Sequence, residues 1–250
     1  YAYYPGSYPD FLNNREAYTA LEVPALTQAM AERGMELLDM GPVLDAAGRP
    51  REYYSLADYH YQFGGAYLTY RAILERLSVE LGTELTVLDE DSLTAETLSN
   101  PYLGSRGRKL FGLEDRGERL TIGLPRDPIP FTRTDNGRET ASTVYALPAT
   151  GTEEVLYSLY MGGDVGETVI ETNRPDLPSI LIYGDSFTNP VECLAYYSFD
   201  EMRSIDLRHY REMSLADYIR LHQPDIVVGI RDYEALLSAD YNGSPFQLQP

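Results

Sequence analysis

The sequence has 250 residues, with 39 acidic side chains against 20 basic ones and a formal net charge of −19, a length that suits one large domain or a domain carrying an insertion. Its acidic groups are spread along the chain, so the basic stripe that a phosphate backbone requires is missing and nucleic acid is excluded as an expected partner. Cys193 is the one cysteine, which rules out an intrachain disulfide and a thiolate metal cluster, and no apolar run approaches the roughly 18 residues that span a bilayer.

The chain opens at Tyr1, not at methionine, so an upstream signal or anchor is expected. Residues 1–14, rich in Tyr, Pro and Gly, read as an extended lead-in. Residues 15–34 read as a helix that starts late because of Pro24, and 36–40 as a short strand closed by Gly41 and Pro42. In the aromatic run 53–67, Gly64 and Gly65 form a break. After it, residues 66–81 have amphipathic spacing, with Tyr67, Tyr70, Ile73, Leu74, Leu77 and Leu81 on one side. Asp58 and His60 therefore sit in a loop before a helix, a common seat for catalytic groups.

Residues 86–99 read as a short acidic helix. From 100 to 178 the texture turns to Gly, Pro, Thr and alternating apolar residues, as in 142–147 and 155–160, which suggests a β-rich insertion or lid within a single domain spanning 1–250. Arg106, Arg108, Lys109, Arg116 and Arg119 make its first part the most basic region of the chain, either a solvated loop or a seat for an anionic group.

Residues 180–183 are apolar and uncharged, as in a parallel strand buried on both faces. Gly184 permits a tight turn, and Pro190 suits the first turn of a helix. Ser186 is thereby placed at the carboxyl end of a central strand, the edge where open α/β sheets bind ligands. Its backbone N–H is the first oxyanion candidate. Helix over 191–199, strand over 204–208, helix over 214–222, buried parallel strand over 225–230 and helix over 231–238 complete a doubly wound unit.

Only His60, His209 and His222 can supply an imidazole. His222 falls late in an amphipathic helix, where packing is its ordinary role, and His209 follows a strand end. His60 has an acid two residues earlier. A serine hydroxyl needs a base to take its proton, and the base works best when a carboxylate fixes its tautomer. Asp58 and His60 are thus the pair that can serve Ser186, the alternative being a helix-capping Asp and a surface His in a loop and, for Ser186, a strand-helix loop with an N-cap. With three dispersed histidines and no His-Glu-x-x-His or cysteine pair, neither a metal nor a cofactor is expected.

The stretch Tyr53-Tyr54 … Asp58-Tyr59-His60-Tyr61 … Gly65-Ala66-Tyr67, with Gly184-Asp185-Ser186-Phe187 and Leu207-Arg208-His209-Tyr210 downstream, resembles the DHHW proteins of Gram-positive bacteria, relatives of SGNH-fold alginate O-acetyltransferase-like proteins. Tyr102-Leu103-Gly104-Ser105 and Gly162-Gly163-Asp164 resemble lesser landmarks of that group, and through this resemblance the turn at Gly162 and Gly163 is a second oxyanion candidate. Tyr59 stands where the family name has its first His, and Tyr61 where it has Trp. The resemblance implies a three-layer SGNH-hydrolase-like (flavodoxin-like) α/β fold with a parallel sheet. It also implies Ser186 as nucleophile, His60 as base and Asp58 as orienting acid, with Tyr59, Tyr61 and Arg208 as substrate-binding candidates. The implied activity is serine-dependent acetyl transfer to or from an extracellular polysaccharide. The partners would be that polysaccharide and an acyl donor, with a membrane anchor or membrane acyl-donor protein beyond this sequence and a location at the bacterial cell surface. A carbohydrate esterase with the same triad and a non-catalytic polysaccharide-binding module, its 22 tyrosines stacking on sugars, are the alternatives.

Overall fold

The structure, a computed structural model, describes residues 16–113 and 117–231, together with Leu236. The expected lead-in over 1–14, Arg116 and the body of the expected helix over 231–238 lie outside these residues.

Helix α1 (Glu16–Ala31) runs through Pro24 instead of starting after it. A proline removes one backbone donor, and the turns on either side of Pro24 keep the helix continuous. The strand expected over 36–40 does not form. Asp39 caps a helix instead, its side chain accepting the Gly41 N–H at 2.9 Å, and α2 (Met40–Ala46) follows. Asp before Gly-Pro is a helix start, because Asp satisfies an orphan donor and Pro tolerates the first turn.

Helix α3 (Phe63–Leu81) begins earlier than expected and takes Gly64 and Gly65 into its first turn. A Cβ on Gly65 would stand 2.7 Å from the Tyr53 carbonyl oxygen, so these glycines admit a close approach of the preceding loop. Ala66, Tyr70 and Leu74 form its buried face; Tyr67, Ile73 and Leu77 pack partly buried against the core, and Leu81 is exposed. Residues 86–99 are not helical. Asp89 and Ser92 make a turn, and β1 (Leu93–Thr97) pairs antiparallel with β2 (Thr121–Pro125). Threonine on both strands at one end of that register favours the sheet, the Thr97 and Thr121 hydroxyls meeting at 2.9 Å.

The second sheet holds β3 (Thr132–Asp135), β4 (Arg138–Glu139), β5 (Glu167–Glu171), β6 (Ile180–Gly184), β7 (Glu201–Asp206) and β8 (Ile226–Ile230), in the order β4-β3-β5-β7-β6-β8. β6 runs parallel to both its neighbours, but β4, β3 and β5 join antiparallel. The expected all-parallel sheet is thus a mixed one. β8, expected to be fully buried, is the edge strand among the described residues and exposes Val227. Of the segment 100–178, strands β3, β4 and β5 extend this sheet. The two alternating stretches at 142–147 and 155–160 meet only through a bridge between Tyr145 and Tyr160. Thr143 there bonds Tyr145 locally, with its hydroxyl on the Tyr145 carbonyl and the Tyr145 N–H on its hydroxyl, a turn that competes with a ladder.

Helix α5 (Asn189–Ala195) follows β6, and α6 (Leu215–His222), capped by the Ser214 hydroxyl, precedes β8. Alternate residues of β6 face opposite ways. Ile180 and Ile182 enter the main core with Tyr70, Leu74, Val191 and Leu194. Leu181 joins Ile205, Leu207 and Tyr218 in a second cluster. Full burial of each such side chain stabilises by about 1.5–3 kcal/mol. With both faces covered, only the end of β6 is left to present a reactive side chain.

Candidate active site

Ser186 follows that end in a turn fixed by its neighbours. A Cβ on Gly184 would lie 2.1 Å from the Ile230 carbonyl oxygen, so glycine lets β8 pass close beneath the turn. Asp185 closes it: the carboxylate accepts the Phe187 N–H at 3.0 Å, and the carbonyl accepts the Thr188 N–H at 2.9 Å. Arg231 holds the other Asp185 oxygen at 3.1 Å in a buried ion pair. The Ser186 N–H donates to no group among the described residues.

The Asp58–His60 loop is built by side chains. An antiparallel bridge between Tyr54 and Tyr61 and a bond from the Ser55 N–H to the His60 carbonyl close it. The Glu118 carboxylate accepts the Leu56 N–H at 2.7 Å, the Ala57 N–H at 2.8 Å and the Ser55 hydroxyl at 2.6 Å. Ser55 Oγ in turn accepts the Asp58 N–H.

Asp58 is buried and takes five donors. The Tyr59 N–H (2.6 Å), His60 Nδ1 (3.0 Å) and Ser105 Oγ (2.8 Å) reach Oδ1; the Tyr102 hydroxyl and Ser105 N–H, each at 2.8 Å, reach Oδ2. Burial works to raise this carboxyl, but the bonds from His60 and the Ser105 amide outweigh it and hold it well below the usual carboxylate range. A charged carboxylate only accepts, so the His60 Nδ1 proton points at it and Nε2 is free to accept from Ser186 Oγ, 2.7 Å away. The His60 ring stacks on Tyr157 at 3.8 Å and 5° and packs against Tyr59 and Phe187.

The three expected triad residues thus meet. Tyr59 is 51% exposed and lies over His60 at the mouth; burial and the Asp58 charge raise its phenol, while Ser186 and Arg208 draw it back. Tyr61, expected to bind substrate, is instead buried, with its hydroxyl donated to the Phe187 carbonyl and its ring edge-on to Phe187. It braces the serine turn from below. Arg208 clasps Asp206 with two nitrogens, at 3.0 and 2.6 Å, and reaches Asp164 at 3.0 Å, which accounts for it as a brace. Of the oxyanion candidates, Gly163 has its N–H on the Tyr160 carbonyl. Gly162 lines a cavity with Arg133, Asp135, Met161 and Val165. Neither the Gly162 N–H nor the Ser186 N–H donates to a group among the described residues, and the Ser186 N–H is the one carried by the serine itself.

His222 packs on Tyr218, and burial lowers its pKa. His209 lies exposed, with Asp164 and Asp206 able to bring ligand atoms within 4.8 Å of its own. Arg208 already sets a positive charge between those carboxylates, which leaves a metal ion poorly placed there. Tyr102, Ser105, Glu118 and Tyr157 were not legible as site residues. Gly104 carried the signal, since a Cβ there would stand 2.2 Å from the Ala57 carbonyl oxygen, and only a glycine brings Tyr102 and Ser105 onto Asp58.

No family model matches the sequence, and no curated protein does. Solved structures do. A DHHW family protein from Eubacterium siraeum superposes with a TM-score of 0.63 at 21% identity, over 79% of this chain and 64% of that one. Bacillus cereus PatB1 bearing a sulfonyl adduct gives 0.63 at 21% identity, over 83% of this chain and 69% of that one. Another PatB1 structure gives 0.62 at 24%, over 80% and 67%. The chain spans about two thirds of these longer proteins and has the α/β fold that they share.

Proposed function

We propose that Ser186, His60 and Asp58 are nucleophile, general base and orienting acid of an acyl transferase. The observation that supports this most directly is the unbroken line of hydrogen bonds from Asp58 through His60 to Ser186, at 3.0 and 2.7 Å. His60 Nε2 takes the hydroxyl proton as Ser186 Oγ attacks the acyl carbonyl. The Ser186 N–H meets the oxyanion, and collapse passes the proton from His60 to the leaving group and leaves an acyl-serine ester. An incoming hydroxyl then gives its proton to His60, takes the acyl group and restores the serine.

In this reading the fold is a three-layer SGNH-like domain within which residues 100–178 form an insertion that walls the site through Tyr102, Ser105 and Tyr157. The acyl group is acetyl and the acceptor a polysaccharide hydroxyl outside the cytoplasm, in keeping with the likeness to DHHW proteins. Among the described residues no helix is long and apolar enough to cross a membrane. Water as acceptor would make the same site an esterase.

The test is hydrolysis of p-nitrophenyl acetate by the protein beside Ser186→Ala and His60→Ala, with mass spectrometry for an acetyl adduct on Ser186. PatB1 is known with a sulfonyl adduct, so a sulfonyl fluoride is expected to modify Ser186 here as well. Loss of turnover by roughly 10³-fold or more in both variants is expected. A folded protein that forms no adduct, turns nothing over and binds glycan equally well as Ser186→Ala would be a binding module.

A further inference from the structure

A short helix, α4 (Ser105–Lys109), leaves the site and ends in a turn whose apolar residues face outward. Leu110, Phe111 and Leu113 are 49%, 90% and 88% exposed. The turn is nonetheless well formed, with the Phe111 N–H on the Arg108 carbonyl at 3.0 Å and the Gly112 N–H on the Gly107 carbonyl at 2.9 Å. That paired closure puts the residue after the helix cap in the left-handed region, a position that ordinarily takes glycine, and Gly112 beside it is left-handed too, at φ +69°. Here Phe111 occupies that position, at φ +55°. A bulky side chain adopts this conformation only at a cost, and a side chain so exposed regains none of that cost by packing among the described residues. Strain of this kind points outward, to something the residue touches when the protein works.

The charge beside it indicates what. Arg108 and Lys109 are exposed and pair with no acid among the described residues, in a chain of net charge −19. Arg108 and Lys109 run directly into the apolar tip, and with Arg106 and Arg116 they outnumber Glu114 and Asp115, which follow it in sequence; cations beside an aromatic and two leucines match a surface that is anionic outside and apolar beneath. We propose that this tip seats on an anionic phospholipid bilayer, with Phe111, Leu113 and Leu110 among the upper acyl chains and Arg108 and Lys109 against the headgroup phosphates. The acidic remainder of the molecule is repelled by the same surface, so it docks tip first. Two cations and three side chains make a weak, reversible and salt-sensitive contact. Ser105, at the start of α4, bonds Asp58. At about 1.5 Å per residue the tip lies on the order of 8 Å along the helix from that contact, so docking brings the site up to the membrane surface. The docking is independent of what Ser186 does.

Cosedimentation with phosphatidylcholine vesicles, with and without phosphatidylglycerol, tests this at low and high salt. The variants are Phe111→Ser with Leu113→Ser, and Arg108→Gln with Lys109→Gln, each checked for folding by near-ultraviolet circular dichroism and for unchanged turnover of a soluble ester. Binding only to the phosphatidylglycerol vesicles, released by high salt and weakened roughly tenfold or more in each variant, is expected. No binding by the folded protein, or equal binding to neutral vesicles, overturns it. So does a concentration-dependent dimer that Phe111→Ser abolishes without any vesicle binding, which would assign the tip to self-association.

Discussion

Ser186 and His60 stand 2.7 Å apart but are held by opposite means. The serine turn is set by regular elements: a strand parallel to both its neighbours, a turn closed by its own Asp185, and a helix after it. The Asp58–His60 loop belongs to no strand or α-helix and is fixed by side chains arriving from Glu118, Tyr102 and Ser105. Backbone lattices survive single substitutions, because each bond is one of many. A loop hung on a few carboxylate hydrogen bonds does not, so side-chain changes distributed around Asp58 should matter to the site well beyond their number.

The sharpest test of that contrast is Asp58→Asn. Five donors converge on a charge that would be gone, and His60 would lose the partner that fixes its tautomer. kcat/KM for a soluble acyl ester is expected to fall about 10⁴-fold while circular dichroism of the sheet is retained. Glu118→Ala comes next. It strips three bonds from 55–57 without touching the triad, and is expected to destabilise by about 3 kcal/mol in urea unfolding and to lower kcat about a hundredfold through misplacement of His60. Turnover left intact by this variant would show that the loop is held by something else.

Tyr102→Phe is the smallest and carries a pH signature. Asp58 has its folded pKa depressed, so its contribution to stability is present above the unfolded carboxylate value, about 3.9, and is lost as pH falls through the folded value. Removing the Tyr102 donor raises the folded value towards the unfolded one. The variant is expected to be about 1.5 kcal/mol less stable at neutral pH, a gap that persists through the unfolded carboxylate value and closes only as the melts are taken further down, through the depressed folded values of the two proteins.

The same contrast explains what the sequence disclosed. The regular half was readable because burial writes itself as pattern: the apolar run at 180–183, the glycine that ends it and the Pro190 helix start each follow from local chemistry. Asp58 and His60 were readable as a pair because an acid two residues from one of three histidines is a short-range relation. The mixed sense of the sheet was not, since β5 pairs with β7 across a separation that no local pattern encodes. Nor were Glu118, Tyr102 and Ser105, whose role depends on tertiary approach. Tyr61 misled for a related reason: an aromatic beside a reactive group reads alike as wall or as brace, and burial decides. The strand expected over 36–40 yielded to Asp39, whose cap outweighed a weak apolar alternation.

The stack of His60 on Tyr157, with Tyr59 also against the ring, bears on when the imidazole becomes ordered. A ring on a mobile loop would surrender its torsional freedom each time a substrate arrived, and that entropy would be charged to every turnover. Flanked by two aromatic rings and tied through Nδ1 to a fixed carboxylate, this one surrenders it once, as the chain folds. On the proposed mechanism, the conformational cost of alignment therefore belongs to the stability of the protein and not to the barrier of the reaction.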